Sequence, residues 1–277
     1  DEVLVPNPVW LNYIHVPASL GATPITYSLK EENDYQIDFD ELESKLSDRT
    51  KMIVVVNPSN PTGGVFSFET LERLSRIAIK HDLLVVADEI YSQLVYDGTK
   101  HVSIASLPGM KERTITLGGF SKAYSMTGWR LGYMCAPKEI IQACVRVHQY
   151  TITCASSFVQ EAAITALRDC AGDVESMRQE YQRRKDYMVK ALNEIEGISC
   201  NNPQGAFYIF VNIKQLGRTS MEMAEYLLEH AKVALVPGSA FGTEGEGYLR
   251  ISYACSYEEL QEACGRIEKA VAELRKK

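Results

Sequence analysis

Lys122 lies in a stretch, residues 117–133, whose composition could support amine chemistry: LGGFSKAYSMTGWRLGY. The β-branched and apolar residues 114–117 predict a short buried strand that ends in two glycines, just before the lysine. Aromatic residues, among them Phe120 and Trp129, surround it in the sequence. An amine held beyond a strand end among such rings loses part of its hydration, which lowers its pKa and frees its lone pair to attack a carbonyl. A single lysine in a loop is nevertheless more often a surface residue.

Five other polar residues could work with such an amine. Asp88 follows a predicted strand and could form an ion pair with a protonated ring nitrogen, while Tyr91, three residues later, would point to the same side of a helical turn. Asn60 lies between two prolines, Arg130 is the first residue of a predicted strand, and Arg250 lies within another. Taken singly, each has an ordinary explanation as a cap, a turn residue, a half-buried aromatic or a surface arginine.

The elements that carry these residues alternate between strand and helix. Residues 50–56, 83–87, 114–117 and 130–136 predict strands, and residues 67–81 and 138–147 predict helices between or after them. Such alternation favours right-handed crossovers and a mostly parallel sheet. In these sheets ligands bind beyond the carboxyl ends of the strands, so we expect Asn60, Asp88 and Lys122 to share one rim.

The complete pattern predicts an α/β fold, a mostly parallel sheet sandwiched by helices followed by a smaller C-terminal α/β domain. Residues 1–172 would form the large domain, and residues 173–277 a connector helix, 173–195, and the small domain. The small domain would contain strands at 206–213, 233–236 and 248–253 and helices at 221–231 and 257–274. A run of charges on the connector is interpreted as a solvated face; it comprises Arg178, Arg183, Arg184 and Lys185.

Composition excludes several function classes. The net charge of −7 and the isoelectric point near 5.4 argue against a nucleic acid or an anionic membrane as partner. No apolar run approaches the roughly 18 residues of a membrane span. The seven cysteines are scattered without a metal-binding spacing, so we expect reduced core residues, no metal site and a cytoplasmic protein.

Taken together, the motifs SKAYSMTGWRLGY, NPSNPTGG, VADEIYS and YLRISYA resemble the fold-type I pyridoxal-phosphate aminotransferases of class I/II, the aspartate and aromatic aminotransferase group. The resemblance implies that Lys122 bonds covalently to pyridoxal 5'-phosphate, that Asp88 pairs with its ring nitrogen, and that Tyr91 and Asn60 contact its phenolic oxygen. It also implies that Ser121 and Arg130 contact the cofactor phosphate and that Trp10 stacks on the cofactor ring. The substrate would contact Arg250, Asn60 and Trp10, with Arg250 binding its α-carboxylate.

Two departures from the family pattern concern the phosphate. Gly119 stands where many relatives carry a phosphate-binding serine, and Ser121 is the nearest substitute. The N-terminal arm and phosphate loop that family members carry ahead of the Trp10 region are absent from the sequence. We therefore expect a truncated aminotransferase that binds the cofactor weakly and has impaired activity.

The resemblance implies a homodimeric transaminase of the aspartate or aromatic type, which exchanges an amino group between an L-amino acid and a 2-oxo acid by a ping-pong mechanism. One alternative is a carbon–sulfur β-lyase on the same fold, which would release pyruvate and ammonia from cysteine conjugates. A non-enzyme alternative is the ligand-sensing domain of a regulator. No motif identifies the amino donor.

Overall fold

A six-stranded sheet forms the centre of the computed structural model, which describes residues 1–276. Its strands are β1 (Glu2–Asn7), β2 (Thr23–Ser28), β3 (Thr50–Val56), β4 (Leu84–Asp88), β5 (Thr114–Gly119) and β6 (Gly132–Cys135). They are arranged in the order β2-β1-β3-β4-β5-β6. Every neighbouring pair is parallel except β5 and β6, which are antiparallel. The predicted mostly parallel sheet is confirmed.

Helices accompany this sheet, and side chains cap the first turns of two of them. They are α1 (Asn12–Ser19), α2 (Phe39–Ser44), α3 (Phe68–Lys80), α4 (Lys138–Thr151) and α5 (Ser157–Asp169). The hydroxyl of Ser67 accepts a hydrogen bond from the backbone of Thr70 and so caps α3. Leu71 and Leu74 of this helix are buried in the same core as Ile53 of β3, which fixes the loop between them.

The C-terminal part contains a second, antiparallel sheet with helices packed on it. Its elements are α6 (Ala171–Asn193), β7 (Tyr208–Asn212), α7 (Ser220–His230), β8 (Val236–Pro237), β9 (Tyr248–Ser252) and α8 (Tyr257–Leu274). The strand order is β7-β9-β8. Phe210, Phe241 and Tyr248 from this part also belong to the core of the first sheet. The α/β architecture is confirmed, while the domain boundary at residue 172 stays a prediction.

Most predicted strands differ from the structure by one to three residues at an end, and two of these differences have a clear physical reason. The strand expected at 233–236 is only Val236–Pro237, because these two residues alone pair with β9. The strand expected to begin at Arg130 begins at Gly132 instead. Arg130 has a left-handed backbone, with φ +56°, at the end of a short 3-10 turn, a conformation that cannot continue a strand.

The interpretation of the connector charges as a solvated face is wrong for Lys185. Its side chain is 1% exposed and its amine forms ion pairs with Asp97 and Asp186. Asp97 belongs to the loop after β4, so a segment remote in sequence covers this part of α6. Local charge patterning carries no information about such a partner.

The cysteine expectation holds only in part. All seven cysteines are free thiols, but only Cys200 and Cys264 are buried, while Cys135, Cys154 and Cys255 are exposed. No helix in the described part of the chain combines the length and the apolarity needed to cross a membrane.

Candidate active site

The carboxyl ends of β3, β4 and β5 bring together the strand-end residues that the sequence analysis singled out. Asp88 is the last residue of β4, and its carbonyl accepts a hydrogen bond from the backbone of Asn57 after β3. Lys122 lies in the turn that follows β5, close enough to Asp88 for the carboxylate charge to act on the amine. Asn60 reaches the same region through a contact with Arg250 of β9.

The amine of Lys122 is half-buried beside two aromatic rings. Nζ lies 5.8 Å from the ring centre of Tyr91 and 5.7 Å from that of Phe207. Within residues 1–276 it has no hydrogen-bond or ion-pair partner. Burial lowers its pKa, and the positive charges of Arg250 and Arg130 lower it further, against the opposing charge of Asp88. The structure therefore favours an unpaired amine that gives up its proton readily.

Asp88 is a largely buried carboxylate with two hydrogen-bond donors. Oδ2 accepts from the hydroxyl of Tyr13 at 2.7 Å, and Oδ1 accepts from the backbone of Ile90 at 3.1 Å. Burial raises the pKa of Asp88, while these two hydrogen bonds and the charge of Lys122 act in the opposite direction. Sequence reasoning missed Tyr13. The available signal was its position three residues after Trp10, in the first turn of α1.

Tyr91 is buried and makes a contact that the sequence did not predict. Its hydroxyl lies 2.9 Å from the hydroxyl of Tyr208, and the two rings meet edge to face. Burial raises the pKa of Tyr91. Tyr208 belongs to β7, in the second sheet, so this hydrogen bond joins the turn after β4 to the C-terminal part.

Arg250 lies between two rings with its guanidinium only partly paired. Its Cζ is 4.4 Å from the ring centre of Tyr208 and 4.7 Å from that of Phe241. Nη1 donates to Oδ1 of Asn60 at 2.8 Å, whereas the buried Nε has no partner within residues 1–276. Burial lowers the pKa of Arg250, and the two nearby tyrosines, Tyr208 and Tyr91, act against this. An arginine remains protonated in proteins, so this group offers a fixed cation with free donors.

The residues expected to contact a phosphate lie in the loop after β5. Arg130 is exposed, and its Nη1 donates to the carbonyl of Thr127 at 2.8 Å. Thr127 in turn donates through its hydroxyl to the carbonyl of Ser121 at 2.9 Å. A Cβ at Gly119 would lie 3.1 Å from both Gly132 and Ile90, so a side chain there would require small shifts of its neighbours.

Trp10 lies in the segment between β1 and α1. Its side chain is 43% exposed, and no contact in the described structure joins it to Lys122 or Arg250. The structure thus brings Asn60, Asp88, Tyr91 and Lys122 together with Arg250, and it leaves the side chains of Trp10 and Arg130 exposed.

Comparison with known proteins agrees with this geometry. The sequence profile of the family described as "Aminotransferase class I and II" matches residues 1–267. The aspartate aminotransferase of Pyrococcus abyssi is 48% identical over 275 residues, covering 99% of this chain and 70% of that protein. The aromatic-amino-acid aminotransferase 2 of Thermococcus litoralis is 46% identical, with the same two shares covered.

Solved structures show the same fold. An aromatic aminotransferase from Pyrococcus horikoshii OT3 superimposes with a TM-score of 0.97 at 45% identity, covering 99% of this chain and 74% of that one. An aspartate aminotransferase from Thermus thermophilus gives a TM-score of 0.93 at 37% identity, covering 98% and 70%. These matches favour neither the β-lyase nor the ligand-sensing alternative. The chain belongs to the class I and II aminotransferase family, whose members depend on pyridoxal 5'-phosphate.

Proposed function

We propose that this chain exchanges an amino group between an L-amino acid, aspartate or an aromatic one, and a 2-oxo acid, with the residues of the rim as its active site. The observation that carries the proposal is the unpaired, half-buried amine of Lys122, close enough to Asp88 and Arg250 for both charges to act on it. The names of the similar proteins, aspartate and aromatic aminotransferases, support this substrate range.

The side chains present fit pyridoxal 5'-phosphate. An amine without a partner suits its aldehyde, a buried carboxylate suits its ring nitrogen, and an exposed guanidinium suits its phosphate. When bound, the cofactor supplies an electron-poor ring that withdraws electrons from the substrate Cα. We assign Lys122 to its covalent attachment, Asp88 to the ring nitrogen, Asn60 and Tyr91 to the ring oxygen, Ser121 and Arg130 to the phosphate, and Trp10 to the ring face.

Lys122 also moves the proton in this proposal. The Cα–H of an amino acid is a weak acid, so its proton needs a base held at a fixed position. Because burial and the charges of Arg250 and Arg130 lower the pKa of Lys122, a larger share of its amine is unprotonated near neutral pH. The rings of Tyr91 and Phe207 beside Nζ limit the access of water to that amine.

Arg250 binds the substrate carboxylate. A guanidinium can form two parallel hydrogen bonds to a carboxylate, which an ammonium group cannot reproduce. The rings of Tyr208 and Phe241 fix its plane, and Asn60 occupies one of its nitrogens. Nη2 makes no hydrogen bond within residues 1–276, and it is the donor that this arrangement leaves for a ligand. Asn60 contacts Arg250 directly, and we place Asn60 and Trp10 beside the substrate as the family resemblance implies.

The proposal predicts that Lys122→Ala abolishes transamination. Removing a covalent nucleophile that also acts as the base should lower kcat by at least about a thousandfold. Steady-state assays with aspartate or phenylalanine and 2-oxoglutarate measure this loss. Borohydride reduction followed by peptide mass spectrometry provides a readout independent of turnover, since the cofactor should be found on Lys122 in the wild-type protein.

Lys111→Ala is the matched control, because Lys111 is an exposed lysine outside the rim. It should keep both turnover and the modified peptide. Near wild-type transamination by Lys122→Ala, or cofactor attached to a different lysine, would show that the assignment is wrong. The expectation that this chain binds the cofactor weakly stays a prediction, which the dissociation constant for pyridoxal 5'-phosphate measures directly.

We also propose a homodimer in the cytoplasm. Family membership supports the dimer, and exposed apolar side chains such as Tyr150 and Phe158, 91% and 71% exposed, are of the kind that subunit contacts bury. Seven free thiols support a reducing compartment. Light scattering that gives the mass of one chain, or recovery of the protein outside the cytoplasmic fraction, would contradict these two statements.

A further inference from the structure

Tyr208 contacts two residues of the rim with different parts of its side chain. Its hydroxyl lies 2.9 Å from the hydroxyl of Tyr91, and its ring centre lies 4.4 Å from Cζ of Arg250. The side chain is 7% exposed. Tyr208 therefore lies between the residue assigned to the cofactor oxygen and the residue assigned to the substrate carboxylate.

The ring of Tyr208 constrains the guanidinium of Arg250. An arginine side chain has several rotatable bonds, and ordering it costs conformational entropy on binding a ligand. Tyr208 and Phe241 contact the guanidinium and restrict its plane before any ligand arrives. Cation–π attraction between Arg250 and these rings stabilises that orientation.

The hydroxyl of Tyr208 constrains the hydrogen of Tyr91. Each phenol has one hydrogen, so within the pair one hydroxyl donates and the other accepts. The guanidinium of Arg250 lies 4.4 Å from the ring centre of Tyr208, closer than any cation lies to the ring of Tyr91 within residues 1–276, and we therefore assign Tyr208 as the donor of the pair. If Tyr208 donates, the hydrogen of Tyr91 remains free to point away from Tyr208. Nζ of Lys122, the proposed attachment point of the cofactor, lies 5.8 Å from the ring centre of Tyr91.

We propose that Tyr208 is a positioning residue for the transamination proposed above: its ring fixes Arg250 for the substrate carboxylate, and its hydroxyl directs the hydrogen of Tyr91 toward the cofactor. The inference rests on the proposed function and adds a residue to it. Because the ring and the hydroxyl act on different partners, Tyr208→Phe and Tyr208→Leu separate the two effects.

Binding of 3-phenylpropanoate, a carboxylate without an amino group, tests the effect of the ring. Calorimetry on the cofactor-free protein should give Tyr208→Phe a dissociation constant within twofold of wild type, because the ring remains. Tyr208→Leu should bind about fivefold more weakly or worse, because the cation–π contact with Arg250 is lost. Circular dichroism of both variants verifies that they are folded.

Equilibrium binding of pyridoxal 5'-phosphate tests the hydroxyl in a double-mutant cycle. Tyr208→Phe should weaken cofactor binding about threefold to tenfold, the usual size of one hydrogen bond. The double variant Tyr91→Phe/Tyr208→Phe should bind no more weakly than Tyr91→Phe alone, since the hydroxyl of Tyr208 acts through Tyr91. The pH midpoint of the absorbance of the bound cofactor should move in the same direction in both single variants.

Tyr181→Phe is the control, because Tyr181 packs on Phe207 but shares no hydrogen bond with Tyr91 or Arg250 within residues 1–276. Its cofactor affinity and pH midpoint should match wild type. Additive losses in the cycle, or full carboxylate binding by Tyr208→Leu, would overturn this inference while leaving the assignment of Lys122 intact. A wild-type protein whose cofactor is not attached to Lys122 would overturn the proposed function and this inference together.

Discussion

Asp88 is a carboxylate whose surroundings act on its protonation in opposite directions. Burial raises its pKa, whereas the hydrogen bonds from Tyr13 and the backbone of Ile90 and the charge of Lys122 lower it. In the proposed reaction the carboxylate must be ionised to hold a protonated ring nitrogen. Tyr13 therefore adjusts the charge of Asp88 through a single hydrogen bond of 2.7 Å.

We predict that Tyr13→Phe narrows the pH range of activity from the acid side. The hydrogen bond from Tyr13 counteracts the effect of burial on the pKa of Asp88. Without it this pKa rises, and the carboxylate becomes protonated at higher pH. The acid limb of the kcat/KM profile should move to higher pH, and activity at neutral pH should fall about threefold to tenfold. The measurement is a pH profile of transamination with the cofactor saturating.

Tyr187→Phe serves as the comparison for this variant, because Tyr187 packs on Tyr257 of α8 and its hydroxyl makes no hydrogen bond within residues 1–276. Its profile should coincide with that of the wild-type protein. An acid limb of Tyr13→Phe that stays in place would show that the hydrogen bond to Asp88 does not adjust its ionisation.

At the scale of elements, the local pattern of a segment predicted its structure well and its distant partners poorly. Residues 50–56 and 257–274 were predicted as strand and helix with the bounds that β3 and α8 have, because runs of apolar residues and helical spacing are local properties. The hydrogen bonds of Tyr13, Tyr208 and Lys185 join residues 75, 117 and 88 positions apart. No periodicity encodes such pairings.

In the candidate site, too, local motifs identified individual residues but not the contacts between distant segments. The resemblance of short motifs located Lys122, Asp88, Asn60 and Arg250, and the parallel sheet explains why strand ends from different segments meet on one rim. The motifs gave no sign that Tyr208 of β7 contacts both Tyr91 and Arg250, because that contact depends on how the second sheet packs against the first.

The ion pair of Lys185 fixes helix α6 to the loop after β4, and we predict that it is needed for stability. Asp97→Ala leaves a buried ammonium with only the neighbouring Asp186, which should lower the free energy of unfolding by about 2–3 kcal/mol. Lys185→Met should cost less than about 1 kcal/mol, because it leaves no buried charge and Asp97 keeps its amide donors Gln182 and Asn202. Urea unfolding measures both values.

The stability difference between the wild-type protein and Asp97→Ala should depend on pH with a defined sign. Burial alone would raise the pKa of Asp97, but the hydrogen bonds from Lys185 and Asn202 and the charge of Lys185 lower it below its ordinary value. A lowered pKa in the folded state contributes stability at neutral pH that disappears as the carboxylate is protonated. The gap between wild type and Asp97→Ala should therefore shrink below about pH 4. Equal losses for Asp97→Ala and Lys185→Met would contradict this account.

At the scale of the whole molecule, the first sheet and the C-terminal part are joined next to Arg250, the residue proposed to bind the substrate. The side chain of Asn7, at the end of β1, donates to the hydroxyl of Thr243 at 2.8 Å and accepts from the backbone of Glu244 at 3.2 Å. The backbone of Val9 donates to the carbonyl of Phe241 at 2.9 Å. These bonds hold the segment that contains Phe241, whose ring contacts Arg250. The position of the Arg250 guanidinium therefore depends on Asn7, a residue of the first sheet.

We predict that Asn7→Ala raises the KM for the amino acid about threefold to tenfold with a smaller change in kcat. Two hydrogen bonds to the segment at residues 243–244 are lost, which frees Phe241 and weakens the ordering of Arg250, whereas Lys122 is unaffected. Asn33→Ala, which removes only an exposed hydrogen bond to the carbonyl of Gln36, should leave KM unchanged. A variant at Asn7 that loses thermal stability but keeps the wild-type KM would mean that this contact stabilises the fold without positioning the substrate site.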